Sequence, residues 1–161
     1  MEAVLLALAS WFEAIGLRSW ASATPWVYPA ANVLHVLGLA MLLGTIGILD
    51  LRVAGLWRRL PLADLSRALT PVAVLGLLVL ASSGIVLFAA DGTALAASST
   101  FQIKLLLVAL ALVNAAVFRL VWQRKAELHG GAPSPLSRLS AAGSLGLWIS
   151  IATLGRLIAY N

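Results

Sequence analysis

Hydrophobic residues run through this chain in long blocks, and charges fall mainly between them. No formal charge appears between Arg18 and Asp50, and none between Ala68 and Ala90. A helix needs about 20 mostly apolar residues to cross the hydrocarbon core of a bilayer. Four spans are predicted, at roughly 26–49, 68–90, 100–122 and 135–160. Thr24-Pro25 precedes the first span and Ser134-Pro135 opens the fourth, each a hydroxyl cap followed by proline. The third carries Lys104 near one end and Arg119 near the other; Arg156 lies near the end of the fourth.

The connections suit an antiparallel arrangement. Asp91 to Ser99 reads as a short polar turn, and Arg124 to Ser134, with Gly130-Gly131 and Pro133, as a flexible loop. The expected fold is all-α: an integral membrane antiparallel four-helix bundle forming a single transmembrane domain over 1–161. Residues 1–20 read as an amphipathic helix lying at the interface, with Val4, Leu5, Leu8, Trp11, Phe12 and Ile15 at helical spacing. Ala21-Ser22-Ala23 resembles a signal-peptide cleavage site, but Glu2 and Glu13 favour a retained interfacial helix.

Composition narrows the class. Of 161 residues, 61% are hydrophobic and 11% charged, against about 25% charged in a soluble domain. So few charges cannot cover a water-facing surface. The absence of cysteine removes disulfides, thiolate metal sites and cysteine nucleophiles. The net charge of +5 is accounted for by topology rather than by nucleic acid. Arg52, Arg58, Arg59, Arg67, Arg119, Arg124, Lys125 and Arg138 all fall on one side of the predicted spans. That side is expected to be cytoplasmic, placing both termini outside. Trp11, Trp20, Trp26, Tyr28 and Tyr160 would form the outer aromatic belt, Trp57 and Trp122 the inner one.

An ionisable residue at membrane depth is a functional candidate. His35, nine residues past Trp26, would lie about 13 Å below the outer boundary; Lys104 and Arg156 would each lie about 6 Å deep. One imidazole thus sits below two cations, with Ser82 and Ser83 at intermediate depth. This suits an upright amphipathic anion such as haem b. His35 would be the axial ligand, and Lys104 and Arg156 would hold the propionates. Gly38, one turn from His35, would let a flat macrocycle approach, and Ser83 would complete the cofactor-binding set with His35, Lys104 and Arg156. Singly, each residue has a plainer reading. The histidine can bond a neighbouring helix, and the two cations can snorkel to headgroups. Their coincidence on one side is what favours a site. Asp50 is expected to pair with Arg119 at the inner end, and His129 to be solvated in the Gly/Pro loop.

No Gly-x-Ser-x-Gly, phosphate loop, paired intramembrane carboxylates or His-rich metal motif appears, so no reaction is assigned. Met1 and Met41 are the only soft ligands.

Asn32-Val33-Leu34-His35-Val36-Leu37-Gly38, then Asp50-Leu51-Arg52, resembles a bacterial family of small four-helix membrane proteins. So do Phe101-Gln102-Ile103-Lys104-Leu105-Leu106 and Gly155-Arg156. More remotely, His35 and the Phe-x-x-Lys-Leu opening span 3 are similar to HemJ-type protoporphyrinogen oxidases, and the helical plan to the copper-resistance protein D family. The first of these remote resemblances implies a haem-associated bundle oxidising protoporphyrinogen, with its His and Lys at His35 and Lys104. The second implies copper uptake. The expected function is therefore a b-type haem or porphyrin protein of the bacterial cytoplasmic membrane, acting in electron transfer. A homo-oligomer or a membrane redox partner is expected beside it. The alternatives are a cofactor-free accessory subunit and a protoporphyrinogen-oxidase-like enzyme.

Overall fold

A computed structural model describes residues 1–123 and 134–158. Every regular element among the described residues is a helix. They form α1 (Glu2–Ala14), α2 (Leu17–Ala23), α3 (Val27–Ala54), α4 (Leu62–Ala97), α5 (Ser99–Val117) and α6 (Pro135–Leu157), with a π-helical turn, Phe118–Gln123, extending α5. The loop at 124–133, with His129, and Tyr160 lie outside the described residues, as does the Trp122 side chain.

Three helices are long and apolar enough to cross a membrane: α3, α4 and the segment Ser99–Val121. The protein is thus a helical membrane protein with several candidate spans. The fourth expected span forms as α6 but is not among these three. Ser137, Ser140, Ser144, Ser150 and Thr153 dilute its apolar character. Its start is as expected: Ser134 Oγ accepts from Ser137 N at 3.2 Å, with Pro135 at the first helical position.

Several boundaries differ from expectation. Thr24 ends α2 rather than capping α3, whose N-cap is Trp26, and α4 begins at Leu62 rather than near 68. The polar turn expected from Asp91 to Ser99 is helical almost throughout. The chain kinks at Asp91 (φ −137, ψ 35), resumes its helix to Ala97, and turns only at Ser98, whose Oγ caps α5. The reason is packing: Ala96 is fully buried, and a Cβ on Gly92 would lie 2.9 Å from that of Ala9. The single interfacial helix expected over 1–20 is broken at Gly16 (φ +78), and α1 and α2 meet at 78°. By length and composition this bent pair passes the spanning test together, as a broken span or re-entrant loop. Leu5, Ala9 and Phe12 bury against Phe88, Ala89 and Ala96, while Val4, Trp11 and Ile15 stay exposed. The expected apolar face is therefore divided between α4 and the surroundings.

The closest helix–helix contact is between α3 and α4. A Cβ on Gly76 would lie 2.8 Å from Leu42 N and 2.9 Å from Gly38 O; one on Gly38 would lie 2.9 Å from Gly76 O. Backbone meets backbone here, the small-residue crossing that membrane helices favour. The two helices run antiparallel, so His35 falls opposite Ser83. α6 packs on both α3 and α5, antiparallel to α5. Asn114 Nδ2 donates to Ser140 O at 3.2 Å, and Ser140 Oγ donates to Asn114 Oδ1 at 2.8 Å. Leu42, Ala73, Ala111, Trp148 and Ile151 form one buried cluster with residues from α3, α4, α5 and α6.

The crossing predicts a sharp contrast. Gly76→Val forces the backbones apart and is expected to lower stability by about 1–3 kcal/mol. Gly44→Ala, at a position with nothing within 4 Å of a new Cβ, should change it by less than about 0.5 kcal/mol. Thermal unfolding of both variants in one detergent measures the difference.

Candidate functional site

His35 sits on the α3 face that meets α4. Its Nδ1 lies 3.0 Å from Ser83 Oγ. The Ser83 hydroxyl proton is already committed, since Oγ donates to Val79 O at 2.5 Å and more weakly to Leu80 O at 3.3 Å. A hydroxyl has one proton to give. Ser83 must therefore accept from His35, which puts the imidazole proton on Nδ1. The Leu80 backbone also bonds the ring. Nε2 is left as the unprotonated nitrogen, with its lone pair. Of the neighbouring serines only Ser83 serves the site; Ser82 is exposed and bonds back to Leu78 O.

The ring needs space on α4, and Gly84 supplies it. A Cβ there would lie 3.4 Å from His35 Cε1. In the sequence, Gly84 carries no signal beyond its place beside Ser82-Ser83. Gly38 has another use. Its open face is filled by the backbone of Gly76, which leaves no room for a flat ring at that point.

Lys104 reaches the same layer from α5. It acts electrostatically on His35 and lies across α6, where a Cβ on Gly155 would meet its Nζ at 3.3 Å. Arg156 follows Gly155 in the last turn of α6 and is exposed. Helices α3, α4, α5 and α6 thus bring His35, Ser83, Gly84, Lys104 and Gly155 to one end of the molecule, with Arg156 at its edge. One turn above Gly84 and before Lys104, Phe88 and Phe101 stack with centroids 5.6 Å apart, and Phe12 meets Phe88 edge-on at 6.1 Å. Among the described residues no three His, Cys, Asp or Glu side chains group as a metal site. The donor set offers one imidazole nitrogen and flanking cations.

A second polar layer lies at the other end of α3. Asp50, expected to pair with Arg119, instead takes a hydrogen bond from Ser144 of α6. The reason is burial: Asp50 is only 7% exposed and faces the packed α3–α6 surface. Arg52 is turned away from it. Its Nε donates to Leu60 O at 2.8 Å and its Nη2 to Arg58 O at 3.0 Å, which secures the loop after α3. Trp57 in that loop adopts φ +48, a strained value for a bulky residue.

The hydrogen-bond chain at His35 has a spectroscopic consequence. In nitrogen-15 spectra of the protein with neutral His35, Nδ1 is expected to appear as the protonated nitrogen and Nε2 as the bare one. Ser83→Ala removes the acceptor at Nδ1 and should increase the opposite tautomer; His35→Asn identifies the signal. A dominant Nε2–H form in the unsubstituted protein would contradict the assignment.

No family model, no curated protein and no solved structure matches this chain.

Proposed function

We propose that the protein binds haem b in a redox or electron-transfer role, with His35 Nε2 as the axial ligand. The observation that carries this reading is the hydrogen-bond order at Ser83, which holds the proton on Nδ1 and leaves Nε2 able to bind iron. Ligating histidines commonly donate their other ring N–H to a neighbouring group in this way. The donor set agrees, since a macrocycle supplies four of the metal's ligands and asks the protein for one or two. When bound, the group would supply one-electron chemistry at iron. Lys104 and Arg156 would hold the propionates by charge-assisted hydrogen bonds. Ser83 fixes the tautomer, Gly84 gives the imidazole its place, and Gly38 acts through the helix crossing.

The finer topology belongs to the same proposal. Helices α3 to α6 would form an antiparallel four-helix bundle in the bacterial cytoplasmic membrane, with the α1–α2 pair at the outer face. Arg52, Arg58, Arg59 and Arg67 cluster at the α3–α4 connection and support a cytoplasmic placement of that end. Both termini would then be outside, with His35 in the outer half.

A second reading is a cofactor-free accessory subunit that self-associates or docks to a membrane partner. Gly143 and Gly146 on α6, with nothing within 4 Å of a Cβ, favour it.

Spectroscopy separates the two. Purified protein supplied with haem is expected to show a Soret band that changes on reduction, and His35→Ala should abolish it. Lys104→Met and Arg156→Met should each weaken haem binding by about 10–100-fold, the worth of one charge-assisted hydrogen bond. A colourless protein that shows no Soret change on haem titration supports the accessory reading.

A further inference from the structure

Among the described acidic residues, Asp50 alone is buried; Glu2, Glu13, Asp64 and Asp91 are exposed. One carboxyl oxygen is engaged by Ser144. The other, Oδ2, is sealed from solvent and has no hydrogen-bond partner among the described residues. Trp148, one turn along α6 from Ser144, is 3% exposed, and its buried Nε1 also has no partner among the described residues. On the opposite side, the register set by His35 with Ser83 and Gly38 with Gly76 brings Ser66 of α4 level with Asp50. Ser66 is buried, with its Oγ 3.4 Å from Thr70 Oγ1. Asp50 therefore lies in a layer of hydroxyls and an indole.

A carboxylate in such a layer carries a charge that must be balanced, because burying an unpaired charge is far more costly than burying a neutral polar group. Among the described residues, no cation, Arg59 included, forms an ion pair with it. On α3 itself, Arg52 is spent on the carbonyls of Leu60 and Arg58. At the α3–α4 connection, Arg58 bonds Gly55 O. On α4, Arg67 pairs with Asp64. Arg119, in the π-helical turn after α5, and Arg138, six residues before Ser144 on α6, form no ion pair with Asp50. Arg138 Nε, buried and without a hydrogen-bond partner among the described residues, does not reach the carboxyl, whose described neighbours are neutral hydroxyls and an indole.

We propose that Asp50 is a proton-binding site: Oδ2 takes one proton from water at the end of the helices that carries Arg52 and Arg58, and the folded protein holds it there. The carboxylate and the proton combine to a neutral acid, with Ser144 still donating to Oδ1. The site is separate from the His35 layer, fifteen residues and about 22 Å away along α3. It does not rest on haem binding.

Infrared spectroscopy of the full chain in lipid vesicles at neutral pH tests this, with side-chain carboxyl carbon-13 in aspartate. Of the three aspartates, Asp64 and Asp91 are exposed, so a buried acid reports Asp50. The expected result is a protonated-carboxyl stretch at the high frequency of a poorly solvated acid. It should move with the label and vanish in Asp50→Asn. Ser144→Ala should keep the band and raise its frequency, because the acid loses a hydrogen bond. If Asp50→Asn fails to fold, the label shift and the Ser144→Ala frequency shift decide. The proposal is overturned by the lack of a label-sensitive protonated band, by a band that survives in folded Asp50→Asn, or by carboxylate stretches that respond to sodium against potassium.

Discussion

The backbone contact between Gly38 and Gly76 sets the geometry on which the rest of the molecule depends. In lipid, helices gain little from hiding apolar surface from each other, so close packing and buried polar bonds must hold them together. At this crossing neither helix carries a side chain, and a Cβ on either glycine would fall within 3 Å of the opposing backbone. So tight a contact leaves little freedom in register. That register places His35 against Ser83 at one end and Asp50 level with Ser66 at the other. Two residues without side chains thus decide which polar side chains meet.

The second constraint is satisfaction of polar groups on α6. Its serines make it a poor spanning helix by hydropathy, yet they tie it to its neighbours. Ser140 exchanges two hydrogen bonds with Asn114 of α5, and Ser144 bonds Asp50 of α3. The exposed hydroxyls on the same helix, Ser150 and Thr153, return to carbonyls of their own helix, Gly146 O and Ile149 O. α6 therefore takes its place through partners, whereas α3 and α4 are apolar enough to span without them.

This division explains how much could be read from the sequence. Long apolar runs mark α3, α4, α5 and α6, and Ser134-Pro135 marks the start of α6, because those cues are local. The break at Gly16 and the continuation of α4 to Ala97 were missed because each is decided by packing between distant segments, Ala9 on Gly92 above all. The layer around His35 was partly legible. His35, Ser83 and Lys104 stood out as polar residues in apolar runs. Gly84 did not, because its role appears only once a ring from another helix lies over it. Gly38 was noticed for the right property, lack of a side chain, but the space is taken by a helix backbone. Asp50 reads as an inner-end pair with Arg119 because sequence gives depth along a helix but not direction around it.

The two polar layers on α3 are separated by Leu42, Ala73, Ala111, Trp148 and Ile151, the best-buried apolar cluster of the four long helices. Thr45 lies between the layers, but its hydroxyl donates to Met41 O and Leu42 O on its own helix, so it is not a relay. A proton at Asp50 and a charge at His35 have no hydrogen-bonded route between them through the described residues. Two features of the structure still connect the ends. α3 is one continuous helix, and it is gripped at its middle by Gly76. A shift of α3 at one end, pivoting on that contact, would be felt at the other. Mechanical coupling between the layers through the described residues would have to pass the crossing glycines, where the two backbones meet.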